Sequence, residues 1–224
     1  MLTRFDDWYK FLNVSDKATL RGKSLALDTL APSAGMMVQA DLDALAAALL
    51  HLRPDRIFEI GTYMGASSNF FLSLLPKVKV ISIAYIPPEQ LENPIKYNNI
   101  ELGLDKVGSL VSDENRPRYT QLIGDSHAII AKDFVAQYGR MNFVFIDGDH
   151  SRKGVAQDTD LAKAILSAEG GIGWHDANPK PKYIESREFL EQDLDLTAMA
   201  TADIGIGGVA FWTKKLEKKI QRKA

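Results

Sequence analysis

The run Asn142–Ile146, NFVFI, carries large apolar side chains on both faces. A strand buried on both faces belongs in the middle of a parallel sheet with helices above and below it. The rest of the chain keeps that rhythm. Arg56–Ile60, Val78–Ile83, Tyr119–Ile123 and Ile172–His175 read as further strands. Helices read over Met36–Leu50, rich in Ala and Leu and followed by Pro54, and over Ser67–Leu75, Ser126–Gln137 and Gln157–Leu166. Asn98–Leu110 also reads as a helix, and Gly170 and Gly171 read as the stop of the one before the fifth strand. Alternating β and α of this kind predicts an α/β fold: a Rossmann-like, doubly wound, mostly parallel sheet. Leu194–Met199 and Val209–Thr213 are strand-like runs whose link is too short for a crossover helix, so they predict an antiparallel C-terminal pair at the sheet edge.

The whole of 1–224 reads as a single domain, with a cover segment over 1–35, a core over 36–213 and a basic tail over 214–224. In the first segment Phe5, Trp8, Tyr9 and Leu12 recur at helical spacing. That stripe suits core packing, a homodimer contact or, less simply, a lid. The tail KKLEKKIQRKA reads as a solvated end. A net charge of −2 over 224 residues offers no basic surplus for a nucleic acid. No run approaches the ~18 apolar residues of a membrane span, and the start lacks the apolar core of a signal peptide. Cysteine is absent, which removes disulfides and thiolate chemistry and suits a cytoplasmic setting.

FEIGTYMG, residues 58–65, closes the first core strand with two glycines four apart. Ligands of open α/β sheets bind at such carboxyl ends. No G-x-x-x-x-G-K-[ST] segment exists here, so a triphosphate loop is excluded. A dinucleotide loop wants glycine where Tyr63 stands, and an acid or Arg where the second strand ends in Ala84. S-adenosylmethionine has no phosphate, carries a positive sulfonium and suits a site with Glu59, Asp125 and Asp147 nearby. The competing explanation of GDSH is a helix cap by Asp125 or Ser126, which is compatible with cofactor contact.

FEIGTYMG, TQLIGDSHAII, FVFIDGDH and GGIGWHD, in that order, resemble the class I S-adenosylmethionine-dependent methyltransferases. Among these the chain is most similar to the small catechol-type O-methyltransferases and the related bacterial family with an IDGDH strand end, over about residues 36 to 213. The resemblance implies S-adenosylmethionine as cofactor and a small-molecule methyl acceptor. It implies that Gly61, Tyr63 and Gly65 border the methionine part, that Glu59 orients the loop or reaches the amino group through neighbours, and that Ser67 marks a helix start suited to a carboxylate. Asp125, Ser126 and His127 would surround the adenine. Ala84 departs from the family, whose acid there accepts from the ribose hydroxyls; Glu89 and Tyr85 are the replacements at hand.

The resemblance also brings a magnesium ion, held by an Asp at each of two strand ends, Asp147 and Asp176, and by a following Asn or Asp. Here that last place is Ala177, with Asn178 one position late. His150 is the expected general base, where catechol-type enzymes carry a Lys, with Asp147 beside it; His175 reads as a structural strand-end residue. Two other classes stay open: a degenerate, non-catalytic relative acting as a binding or interaction module, favoured by Ala84 and Ala177, and a metal-dependent hydrolase or oxygenase using His150, His175 and Asp176.

Overall fold

The computed structural model describes residues 2–5, 37, 39–88, 95–97, 100–177, 184–196, 198–201 and 208–221. A strand β1 (Leu2–Phe5) precedes helix α1 (Gln39–Leu52) and the first core strand β2 (Arg56–Ile60). Arg53 takes a left-handed backbone (φ 51) and its N–H bonds Leu49 O at 2.7 Å, so the chain leaves α1 through a tight reversal ahead of Pro54. Helix α2 (Ala66–Leu74), β3 (Lys79–Ala84), β4 (Ile95–Tyr97), β5 (Ile100–Leu102) and β6 (Tyr119–Ile123) follow. Then come α3 (Ala131–Tyr138), β7 (Met141–Ile146), α4 (Arg152–Ile165), β8 (Leu166–Trp174) and a short α5 (Ile184–Glu188). β9 (Ala198–Thr201), β10 (Ala210–Thr213) and α6 (Lys214–Gln221) end the chain.

The large sheet has the order β1-β9-β10-β8-β7-β2-β3-β6. β6, β3, β2, β7 and β8 are parallel neighbours, and β10 runs antiparallel to both β8 and β9. From β2 the chain winds outward through β3 to β6, then returns to the other side of β2 as β7. The direction of winding therefore reverses between β2 and β7, and a crevice opens outside their carboxyl ends. β7 is buried on both faces, as its composition requires. Phe143 and Phe145 join the core beneath α1 and α2 with Leu45, Leu49, Phe71 and Phe211. Val144 and Ile146 join the opposite core with Phe58, Phe134, Ile165 and Trp174. Ring pairs knit both layers, Phe71 to Phe145 at 5.5 Å and Phe58 to Phe134 at 4.7 Å.

The sequence reading meets several corrections. Leu2–Phe5 is a strand pairing parallel with β9, not the start of a helix, and it puts the antiparallel C-terminal pair one strand in from the edge. The remaining residues of that stripe, Trp8, Tyr9 and Leu12, lie outside the described residues, as do Glu89 and Asn178. Asn98–Leu110 is not a helix: Ile100–Leu102 pairs with Ile95–Tyr97 and a single 3-10 turn follows. The helix read over Ser126–Gln137 divides into a 3-10 turn at Ser126–Ala128 and α3. Gly170 and Gly171 do not stop a helix. β8 starts directly after Ile165, and Gly171 lies inside it, paired with Phe143 and Thr213. Tertiary pairing wins over local propensity in each case. The basic tail is helical over α6, and among the described residues no helix is long and apolar enough to cross a membrane.

Arg118 ties the outer side of the sheet to α2. Its guanidinium donates to Leu72 O (2.9 Å), Leu75 O and Val78 O (3.1 Å each) and Asn115 Oδ1 (2.6 Å), satisfying carbonyls at the end of α2 that the helix leaves open. Arg118→Ala is expected to lower the free energy of unfolding by about 2–3 kcal/mol in urea denaturation. Arg118→Lys, without the planar fork, should recover less than half of that loss.

Candidate functional site

The glycine turn sits at the reversal between β2 and β7. Gly61 has φ 101, and a Cβ there would lie 2.0 Å from the carbonyl oxygen of Asp147. Asp147 N in turn donates to Ile60 O at 2.8 Å, while Gly61 N and Thr62 N donate to Ile83 O at 2.9 and 3.2 Å. Tyr63 also has a left-handed backbone, φ 47. Gly65 (φ 85) begins α2 without a side-chain cap, and the first turn of that helix holds no acid. Its leading N–H groups thus stay suited to a carboxylate from outside. The segment after β5 braces the turn: Gly108 N donates to Tyr63 O at 3.2 Å and Leu110 N to Met64 O at 2.9 Å.

Glu59 lies beneath this turn, fully buried. Its carboxylate accepts from Ser67 and Ser68 at the start of α2, and from Ser82 Oγ on β3 at 2.6 Å. Burial, only partly offset by these hydroxyls, pushes the carboxyl from 4.5 up to about 7. Glu59 therefore joins β2, β3 and α2 from below, and the hydroxyl of Ser67 is turned inward to it.

The second group stands at the ends of β7 and β8, neighbouring strands as the sequence reading required. Asp147 Oδ1 is 3.1 Å from His175 Nδ1, Asp176 Oδ1 is 3.4 Å from the same nitrogen, and His150 Nδ1 is 3.0 Å from Asp176 Oδ2. Ser186 Oγ on α5 donates to His150 O at 3.1 Å. Asp41, from the first turn of α1, approaches His175 Nε2 with Oδ2 at 3.4 Å. Burial opposes charge on His175, but Asp147 foremost, with Asp176 and Asp41, outweighs it and raises the imidazole well above its ordinary range. His150 is raised by Asp176 against the same opposition. Burial would raise Asp176, yet bonds from His150 and His175 hold it well below the usual carboxylate range. Asp149 is turned away: it accepts from Ser151 N and Oγ at 2.8 and 3.0 Å, and Ser151 caps α4.

The third group follows β6. Asp125 Oδ1 accepts from His127 N at 2.9 Å and caps the 3-10 turn, while Ser126 Oγ donates to Asp158 Oδ1 at 2.7 Å. His127 Nε2 lies 3.4 Å from the same Asp158 oxygen. Asp158, on α4, is fully buried, and burial pushes its carboxyl up to about 6. Ala84 is buried, its carbonyl accepting from Gly124 N at 2.9 Å, and its side chain offers no acceptor; Tyr85 beside it is exposed.

Of the residues singled out from the sequence, Gly61, Tyr63 and Gly65 form the turn with Glu59 beneath it and Ser67 turned down to it, Asp147, His150 and Asp176 meet at the ends of β7 and β8, and Asp125, Ser126 and His127 follow β6. Asp41, Asp158 and the central position of His175 were missed. Asp41 and Asp158 sit inside helical runs among other charges, where spacing does not separate a buried acid from a solvated one. His175 reads from the sequence as a structural strand-end residue and, in the hydrolase alternative, as a metal donor; its place between Asp41, Asp147 and Asp176 is a product of the fold. A divalent cation fits this rim: one donor atom each from Asp147, His175 and Asp176 lie within 4.8 Å of one another, and Asp41 Oδ1 is buried there without a hydrogen-bond partner among the described residues. The hydrolase set of His150, His175 and Asp176 is not the one that closes; Asp147 takes the place of His150.

The family described as "Methyltransferase domain" matches residues 58–177, from the glycine turn to just past Asp176. Among solved structures, the O-methyltransferase from Bacillus cereus in complex with SAH superposes with TM-score 0.54 at 18% identity, covering 93% of this chain and 96% of that one. The SAH-bound methyltransferase of Podospora anserina gives TM-score 0.56 at 16% identity, covering 88% of each. TomG, the O-methyltransferase of tomaymycin synthesis from Streptomyces achromogenes in complex with SAM, gives 0.53 at 17%, covering 93% and 95%. No curated protein matches the chain.

The buried Glu59 makes a pH prediction. The folded carboxyl keeps its proton up to about pH 7, whereas the unfolded chain releases it near 4.5. Between those values the folded state binds more protons, so the contribution of this group to stability falls as pH rises, by roughly 3 kcal/mol in all. Glu59→Gln is neutral throughout. Thermal unfolding from about pH 5 to about pH 7.5 should show the wild type losing stability relative to Glu59→Gln; parallel curves would contradict the assignment.

Proposed function

The chain belongs to the methyltransferase-domain family, and from that premise we propose an S-adenosylmethionine-dependent O-methyltransferase acting on a small molecule. The observation that carries the reading is the contact between the glycine turn and the acid–histidine rim: Gly61 packs on the carbonyl of Asp147, whose side chain faces His175. A cofactor lying on the turn is then within reach of groups that can orient and deprotonate an acceptor.

Gly61, Tyr63 and Gly65 shape the ledge for the methionine portion, and the open N–H groups of α2 suit its carboxylate. Ser67 acts indirectly, through Glu59, by holding the helix start against the turn. Asp125, Ser126 and His127 border the adenine side. Asp147, partly exposed, gives the crevice the negative potential that a sulfonium favours. When bound, S-adenosylmethionine supplies an electrophilic methyl group, and transfer requires the acceptor oxygen held in line with it at ~3–3.5 Å. A divalent cation on Asp147 and Asp176 would supply Lewis-acid polarisation of the acceptor hydroxyl.

His150 is the base: Asp176 orients its ring through Nδ1, so the opposite nitrogen is placed to take the hydroxyl proton. Asp176 then stabilises the imidazolium that results. The degenerate, non-catalytic reading draws on Ala84, and turnover separates the two. A cytoplasmic setting suits the cysteine-free chain, and the self-association read from the sequence is a question for size-exclusion chromatography.

The first test is thermal unfolding with S-adenosylhomocysteine. At 100 times its dissociation constant it should add roughly 2.7 kcal/mol, a rise of a few degrees; no shift at millimolar ligand would end the proposal. For His150→Ala, kcat should fall roughly 100-fold or more while that thermal shift persists. Undiminished turnover would remove His150 as the base.

A further inference from the structure

Three consecutive residues of α5 reach the backbone on either side of the His150–Asp176 contact. Glu185 Oε2 accepts from Arg152 N at 3.0 Å, Ser186 Oγ donates to His150 O at 3.1 Å, and Arg187 Nη1 donates to Ala177 O at 2.6 Å. The first two bonds hold the turn between β7 and α4, and the third holds the end of β8. Between those segments His150 Nδ1 stands 3.0 Å from Asp176 Oδ2. α5 is itself anchored from behind. Phe189 and Leu190, in the π-helical turn that continues it, are buried in the same core as Ala177 and Trp174.

The end of β8 needs such a hold. Asp176 has a left-handed backbone, φ 55, which is uncommon for a residue with a Cβ. Ala177 after it is tied on both sides: its N–H donates to Gly208 O at 3.2 Å, and its carbonyl accepts from Arg187. A conformation of this kind persists where the surroundings over-determine it, and such places cluster at functional sites. Arg187 is a costly tie. Its guanidinium is buried, Glu191 accepts from Nη2, and Nε has no partner among the described residues. An apolar side chain would fill the space without that cost, so packing alone does not account for an arginine here. What the guanidinium adds is a charge-assisted bond to Ala177 O, and with it a fixed direction in which Asp176 leaves the strand.

We propose that α5 is the positioning element of the His150–Asp176 pair: Arg187 fixes the strand end from which Asp176 projects, and Ser186 fixes the turn from which His150 projects. Both residues act through backbone carbonyls and not on the reacting atoms. The inference rests on the methyltransferase reading for its consequence, since a ring held through Nδ1 leaves Nε2 to take the acceptor proton.

The test reads the tautomer of His150 by nuclear magnetic resonance in the full chain, isotope-labelled at its histidine nitrogens, in chelator and with neither cofactor nor acceptor present. The chain has four histidines, and the signal of His150 is the one lost in His150→Gln. At alkaline pH, once that ring is neutral, an unrestrained imidazole favours Nε2–H, whereas Asp176 at Nδ1 holds it as Nδ1–H. The wild type is expected to show Nδ1–H. Arg187→Met should move roughly half or more of the His150 signal to Nε2–H, and Ser186→Ala a smaller share, with His127 beyond β6 unchanged. Arg187→Lys keeps the charge and one donor, so it should recover part of the loss. An Nε2–H ring in the wild type, an unchanged tautomer in Arg187→Met, or an equal disturbance of His127 would each overturn the proposal, the last by showing general loosening. Should Arg187→Met fail to fold, Ser186→Ala and Arg187→Lys decide, and an unchanged tautomer in both would overturn it. The thermal shift with S-adenosylhomocysteine reports separately on the methyltransferase reading, so either can fail without the other.

Discussion

Gly61 touches the carbonyl of Asp147, and much of the rest of the site follows from that contact. A side chain at position 61 would fall 2.0 Å from that oxygen, so β2 can leave the sheet only through a residue without a Cβ. The same approach fixes where β7 ends relative to the turn, because Asp147 N is bonded to Ile60 O at 2.8 Å. The glycine turn and the Asp147 strand end are thus held to each other through directly contacting backbone. Glu59 reinforces it from beneath by bonding serines of α2 and β3. The strand order then adds β8 beside β7, which brings Asp176 and His175 to the same rim.

Burying this much charge has a cost that the arrangement offsets locally. Asp41, Glu59, Asp158 and Asp176 are all buried carboxylates. Two of them respond to burial alone in the expected direction: Glu59 rises to about 7 and Asp158 to about 6. Asp176 goes the other way because His150 and His175 bond it directly. The contrast follows from their partners. Glu59 is bonded beneath the turn by neutral hydroxyls, whereas the Asp176 carboxylate is held charged at the end of β8 by two imidazoles. A fold of helices on both sides of a central sheet permits this, because the polar groups collect at strand ends while the layers above and below remain apolar.

Local pattern and tertiary placement divide unevenly along the chain. The five core strands were legible because apolar runs of that length, flanked by helical periodicity, have few other uses. The boundary errors share one cause. Leu2–Phe5 becomes a strand only because β9 offers an edge, and the stretch before β6 pairs as β4–β5 and braces the glycine turn where composition alone suggested a helix. Gly170 and Gly171 looked like a stop and lie inside β8, where β7 and β10 pair with Gly171 on both sides. In the site, the glycines, Glu59 and the strand-end acids were readable from their position after strands. Asp41 was not, because it precedes Asp147 by more than a hundred residues and meets His175 only after α1 packs against the sheet.

The sequence by itself determined the layered α/β architecture, the glycine corner and the residue types available at each strand end, because hydrophobic period and backbone conformation are local properties of a few consecutive residues. Which of those residues meet was decided by the tertiary structure alone. Contact among Asp41, Asp147, His150, His175 and Asp176 depends on strand order and on where α1 docks, both of which arise from long-range burial of apolar faces. The rim charges inherit their neighbours, and with them their chemistry, from the way the apolar layers close.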